Sequence, residues 1–278
     1  MEAISLFRAI KPFKLNPNLT ESFCVRCSSS SSATKVHTGE RTGVKRQFDG
    51  LLLDAAGTLL QLAKPVEETY AAIGKNYGLD FSCNLHTMSK CQINITGLST
   101  PSAVIKKGFK RAFSASWAEE LRYQGDGRPF WKFIVSEATG CNDNAYFEEV
   151  YQHYANGDAW RLPDRASDTL SNLKDCGVKL AVVSNFDTRL RKLLKDLNVV
   201  HLFDAVIVSA EVGYEKPDAK IFQAALDQIC VETTKAVHVG DDAKADKEGA
   251  NAAGIECWLW GRDVKSFADI QSAILIES

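Results

Sequence analysis

The chain has 278 residues, 45% of them hydrophobic, which is enough apolar material for one large core or two small ones and excludes disorder throughout. With 33 basic and 35 acidic residues the formal net charge is -2, so no global basic field exists to hold nucleic acid or an anionic membrane. No apolar run approaches the roughly 20 residues of a bilayer-spanning helix, and a soluble protein with no nucleic-acid and no membrane partner is expected.

Residues 1–48 are set apart by composition. They contain Arg8, Lys11, Lys14, Arg26, Lys35, Arg41, Lys45 and Arg46, the serine run Ser28 to Ser32, and only Glu2, Glu21 and Glu40 as acids. This is the composition of an organelle transit peptide. Val25-Arg26-Cys27 followed by Ser28 resembles a plastid processing site, which favours the chloroplast over the mitochondrion; the alternative is a disordered tail on a cytosolic protein. Cys24 and Cys27 form a Cys-x-x-Cys pair with no second half to complete a zinc site. Cys83, Cys91, Cys141, Cys176, Cys230 and Cys257 are scattered without ligand spacing and are expected as reduced core thiols.

From Gly50 the pattern becomes that of a folded domain. Gly50 to Leu53 is a short apolar run ending in an acid and a Gly-Thr turn, as in a buried parallel strand. Between Lys64 and Asp164 the chain reads as helix after helix: Val66 to Tyr77, Ser102 to Trp117, Pro129 to Ala138 and Asn144 to Tyr154, with Gly, Asn and Pro between them. Asp164 is expected to cap the returning helix and Gly177 to close it. Strand-like runs then return at Lys179 to Val183, Ala205 to Ser209, Ala236 to Val239 and Ile255 to Trp260. Between them lie amphipathic helices marked by Leu190, Leu193, Leu194 and Leu197, and by Ile221, Phe222, Ala225, Leu226 and Ile229. The fold class predicted is α/β, an open parallel Rossmann-like sheet from residues 49–63 and 165–278 with a helical cap inserted over residues 64–164.

Four features fall at carboxyl ends of these strands, where ligands of such sheets bind. They are Asp54 in Asp54-Ala55-Ala56-Gly57-Thr58, then Ser184-Asn185, then Lys216-Pro217-Asp218, and last Gly240-Asp241-Asp242 with Asp246 beyond. In this order they resemble the haloacid dehalogenase-like (HAD) hydrolase superfamily. Ala181 to Asp187, Lys216 to Asp218 and His238 to Asp241 look most like its domain-containing protein 3 group.

The resemblance implies an aspartyl-phosphate mechanism with Asp54 as nucleophile, and the chemistry agrees. A carboxylate attacking phosphorus splits a hard hydrolysis into two easier steps. Ser184, the backbone amides around Asn185 and the Lys216 cation suit the charge that develops on the phosphoryl oxygens. Thr58 is expected to orient the loop. Mg²⁺ takes hard oxygen ligands, here Asp54, the Ala56 carbonyl, Asp241 and Asp246 or Asp242. Asp242 could instead cap a helix, Asp246 could be an early-turn acid, Asp187 is expected as an N-cap, and His238 as packing.

One position breaks the pattern. Phosphatases of the superfamily carry a second Asp two residues after the nucleophile as general acid and base, and here that residue is Ala56. Losing such a group costs roughly 10²–10⁴ in rate. The leading expectation is therefore a magnesium-dependent phosphohydrolase of weakened or specialised activity on a small phosphorylated metabolite, with Glu67, Glu68 and His86 as candidate substitute acids. Alternatives are a catalytically silent phosphate-binding or partner-binding descendant and, less favoured, a phosphonatase using a Schiff-base lysine among Lys75, Lys90, Lys106, Lys107, Lys110 and Lys132. Metal-independent dehalogenation is least favoured because the carboxylates after Gly240 point to a cation. Oligomeric state has no signature in the sequence.

Overall fold

The computed structural model describes residues 44–79, 101–117 and 122–277. Cys24, Cys27, Cys83, His86, Lys90, Cys91 and nearly all of the leader lie outside them. The described chain begins with β1 (Val44–Arg46), so Lys45 and Arg46, grouped by composition with the leader, belong to the folded unit. Phe48 is the physical reason. Its buried ring meets Trp258 edge-on at 5.6 Å and anchors the strand that follows.

β2 (Gly50–Leu53) is the centre of the molecule. Leu51 and Leu53 face one apolar cluster and Leu52 the other, all three fully buried, as the alternation of a strand covered on both faces requires. The chain then forms a short ribbon strand β3 (Gln61–Leu62) and four helices, α1 (Val66–Lys75), α2 (Pro101–Ser114), α3 (Arg128–Thr139) and α4 (Asn144–Tyr154). These pack around their own core of Tyr70, Ile105, Phe109, Phe113, Ile134 and Tyr146. Gly140, in the left-handed region, ends α3, and the Asp143 carboxylate accepts the Tyr146 amide to start α4. β4 (Trp160–Arg161) pairs antiparallel with β3, so the insertion leaves and re-enters through one two-stranded neck.

Beyond the neck come α5 (Ala166–Asp175), β5 (Lys179–Ser184), α6 (Leu190–Asp196), β6 (Ala205–Val208), α7 (Ser209–Val212), α8 (Ala219–Ile229) and β7 (Ala236–Gly240). A π-helical turn over Ala243–Glu248, α9 (Gly249–Ala252), β8 (Glu256–Leu259), α10 (Phe267–Ile274) and β9 (Leu275–Glu277) complete the chain, and β9 pairs with β1. The sheet order is β6-β5-β2-β7-β8, with every pairing parallel. From β2 the chain winds first to one side through β5 and β6, then to the other through β7 and β8. The crevice opposite the carboxyl end of β2 is the switch point where such sheets bind ligands.

Two local expectations need correction. Asp164 does not cap α5: Arg165 holds the N-cap position at φ +61°, with no side-chain cap bond. Gly177 does close that helix, at φ +82°. Of the cysteines expected in the core, Cys257 is buried, Cys141 and Cys176 are half-buried, and Cys230 is exposed because it sits beyond the end of α8; all four are free thiols. Among the described residues no helix is long and apolar enough to cross a membrane.

Candidate active site

Asp54 stands at the tip of β2 with its side chain almost completely enclosed. The turn that follows is held by its backbone: Leu60 N–H donates to Ala55 O at 2.7 Å and Gly57 N–H to Leu60 O at 2.8 Å. Gly57 sits at φ +95°, where a side chain would be strained. Thr58, expected to orient this loop, does not do so through its hydroxyl. Its Oγ1 is buried without a partner among the described residues.

Two donors converge on one oxygen of Asp54. Ser184 Oγ, at the end of β5, donates to Oδ1 at 3.1 Å, and Lys216 Nζ donates to the same oxygen at 2.6 Å. Lys216 also donates to Asp246 Oδ1 at 2.6 Å, so one buried ammonium bridges two buried carboxylates. Asn185 fixes that lysine from behind: its Nδ2 donates to Lys216 O at 2.9 Å and its Oδ1 accepts the Lys216 amide at 2.6 Å. The side chain of Asn185 therefore positions the lysine loop, a role distinct from the backbone donation expected there.

Asp246 owes its position to the π turn. Lys247 N–H reaches back to Asp242 O at 3.2 Å, and the wider turn carries the Asp246 carboxylate over Gly240, where a Cβ would collide with it. Its Oδ2 accepts the Asp242 amide at 2.9 Å and its Oδ1 lies 2.8 Å from His238 Nε2. His238 packs edge-on against Phe222 as expected, yet it also contacts the site, which the packing reading missed. Asp242 acts as the cap of the π turn, its Oδ1 accepting the Lys244 and Ala245 amides, both at 2.8 Å. It stands outside the trio that could grip an ion. Asp54, Asp241 and Asp246 each offer one oxygen within 4.8 Å of the others.

The electrostatics follow from burial and charge. Burial, with the Asp246 charge, raises the Asp54 carboxyl against the pull of Lys216. Asp241 is raised far more, by burial and then by Asp54 and Asp246. Burial would raise Asp246 too, but Lys216 and His238 hold it well below the carboxylate range. Burial alone would depress Lys216, and the two carboxylates overcome it and keep the ammonium charged. Three carboxyls crowd around one lysine, and that crowding, which raises Asp54 and Asp241, is what a bound cation would relieve.

The helical insertion contributes Arg122 and Tyr123 to the pocket, and no sequence pattern marks either. Glu215, next to Lys216, latches them: its Oε1 accepts the Arg122 amide at 3.0 Å, and the Tyr123 amide also bonds to it. Thr188 N–H donates to Gly125 O at 2.9 Å. Asp187, expected as an N-cap, accepts the Arg189 amide at 3.0 Å, but its buried carboxylate also takes Trp131 Nε1 at 2.8 Å and so ties α3 to the sheet. Glu67 and Glu68 do not line the pocket, nor do Lys75, Lys106, Lys107, Lys110 or Lys132. Lys132 instead reaches Asn144 Oδ1 at 2.7 Å.

Residues 48–254 match the family model of haloacid dehalogenase-like hydrolase. The chain is 31% identical over 220 residues to human haloacid dehalogenase-like hydrolase domain-containing protein 3, covering 75% of this chain and 80% of that protein. Over 108 residues, 38% of this chain and 45% of the relative, it is 37% identical to ribulose-1,5-bisphosphate 5-phosphatase of Halopiger xanaduensis. Among solved structures, the magnesium-bound putative HAD-hydrolase YfnB of Bacillus subtilis matches with a TM-score of 0.58 at 20% identity, over 80% of this chain and 92% of that one.

Proposed function

The chain belongs to the haloacid dehalogenase-like hydrolase family, and we propose that it is a magnesium-dependent phosphohydrolase acting on a small phosphorylated metabolite through an aspartyl-phosphate at Asp54. The observation that carries this reading is the Asp54 carboxylate held on one oxygen by both Ser184 and Lys216, beside Asp241 and Asp246. The ribulose-bisphosphate phosphatase and the magnesium-bound hydrolase among its relatives support it. The donors are all hard oxygens, which suits Mg²⁺. Asp54, Asp241, Asp246 and the Ala56 carbonyl would hold the ion, and when bound it would offset charge on the phosphoryl oxygens.

The protein groups divide the remaining work. Ser184 and Lys216 hold Asp54 and present an O–H and an N⁺–H toward incoming phosphoryl oxygens. Asn185 keeps Lys216 in place. The helical insertion, as a cap, closes the pocket through Glu215 and Asp187, which restricts substrates to small molecules. Loss of all phosphate release on Asp54→Asn, in a screen of phosphorylated metabolites with Mg²⁺, is the expected result. A screen with no turnover by the wild type would refute the reading.

Ala56 favours a second reading, a phosphate-binding or partner-binding descendant without catalysis. Ala56→Asp separates the two. Phosphatase activity in that variant alone would establish the silent reading, and comparable activity in both proteins would reject it.

A further inference from the structure

We propose that Tyr123, delivered by the helical insertion, is the proton donor that replaces the acid missing at Ala56. The inference rests on the phosphohydrolase reading above and names the group that reading lacks.

Ala56 leaves the usual acid position apolar, so a proton for the departing alkoxide must come from elsewhere in the pocket. The insertion offers Arg122 and Tyr123 there. A guanidinium does not give up its proton at physiological pH, whereas a phenol can. The Tyr123 ring is held firmly: it stacks on Phe186 at 6.4 Å and 12°, and meets Phe130 edge-on at 5.1 Å. Glu215 holds its backbone through the Arg122 and Tyr123 amides. The phenol-bearing side chain thus lines the same pocket as Asp54 and Ala56 on a firmly packed support, as a general acid requires.

Its surroundings keep the proton on until it is needed. Burial, with the charges of Glu215, Asp187 and Asp54, pushes the phenol well above its ordinary value, so it is protonated at neutral pH. Arg122 acts in the opposite sense and favours the phenolate once the proton has left. In the first half-reaction an Asp54 oxygen bonds to phosphorus, the ester P–O bond breaks, and the alkoxide takes the Tyr123 proton. In the second, water attacks the aspartyl-phosphate, the phenolate takes a proton from that water, and the Asp54 carboxylate leaves. Charge and protons balance over the cycle.

The test is the leaving-group dependence of kcat/KM. Tyr123→Phe keeps the ring and removes the proton, so its penalty should grow with the basicity of the leaving group. It should be smallest on p-nitrophenyl phosphate and roughly 10²-fold or more on an alkyl phosphate. Adding Ala56→Asp to the same variant should flatten that dependence again. A fluorinated tyrosine at position 123, whose phenol is a stronger acid, should change kcat/KM on alkyl esters while leaving p-nitrophenyl phosphate nearly unchanged, and this does not depend on how Tyr123→Phe folds. A uniform loss across the esters, or none, or a fluorinated variant that changes both kinds of ester alike or neither, would overturn the proposal while leaving the phosphohydrolase reading intact. No turnover of any ester by the wild type would overturn both.

Discussion

Replacing Lys216 with alanine should strongly destabilise the fold, because Lys216 bridges Asp54 and Asp246 at 2.6 Å on each side and all three side chains are buried. Removing one partner of a buried ion pair costs about 3–5 kcal/mol, since the surviving charge is left desolvated and unpaired. For a domain of this size each kcal/mol corresponds to roughly 2–4 °C, so the melting temperature should fall by roughly 6–20 °C. The loss should depend on pH with a defined sign. The wild-type Asp246 carboxyl is held below its ordinary value of 3.8, so the stability it contributes is present above that pH and disappears as the pH falls further. The gap between wild type and Lys216→Ala should therefore narrow in acid. Mg²⁺ should stabilise the variant, by about 2.7 kcal/mol at 100-fold excess over its dissociation constant. Scanning calorimetry with and without Mg²⁺ measures all three effects. A fall of less than about 2 °C at neutral pH would refute the reasoning that the bridge is buried and coupled.

Leu52 is fully buried on the α8 face of the central strand, and Leu52→Ala should cost about 2–5 kcal/mol in urea unfolding with an unchanged m-value. Asp263 accepts the Leu259 amide at 2.9 Å and Lys247 Nζ at 2.7 Å, which hold its carboxyl below 3.8. Asp263→Asn should therefore lower the melting temperature at neutral pH, and the difference should shrink as the pH drops below 3.8. The leader is proposed to direct the protein to the chloroplast; residues 1–48 fused to a fluorescent protein should enter plastids, and a cytosolic signal would reject that destination.

The parallel sheet was legible because fully buried strands read as continuous apolar runs, and α4 was expected with the bounds it has. Asp54, Ser184 and Lys216 converge as the order of their motifs along the sheet implied, and Asp246, beyond the end of β7, joins them. Geometry beyond the period of a strand or helix was not legible. The π turn is an irregular backbone choice that hides Asp246 under His238 and turns Asp242 into a cap. Strand alternation reads His238 as packing, and its ring does meet Phe222, but alternation alone says nothing of a carboxylate folded back onto Nε2. Tyr123 was invisible for a related reason. It reaches the pocket through the packing of the helical insertion on the sheet, fixed by Glu215 and Asp187, and no local pattern encodes that contact.

The central claim is that Asp54 becomes phosphorylated. Incubating the protein with Mg²⁺ and a radiolabelled acyl phosphate, quenching in acid and locating the label by peptide mapping measures this directly. Label on the peptide containing Asp54, released by hydroxylamine and absent from Asp54→Asn, is the predicted result; undiminished labelling or undiminished phosphate release in Asp54→Asn would contradict the account.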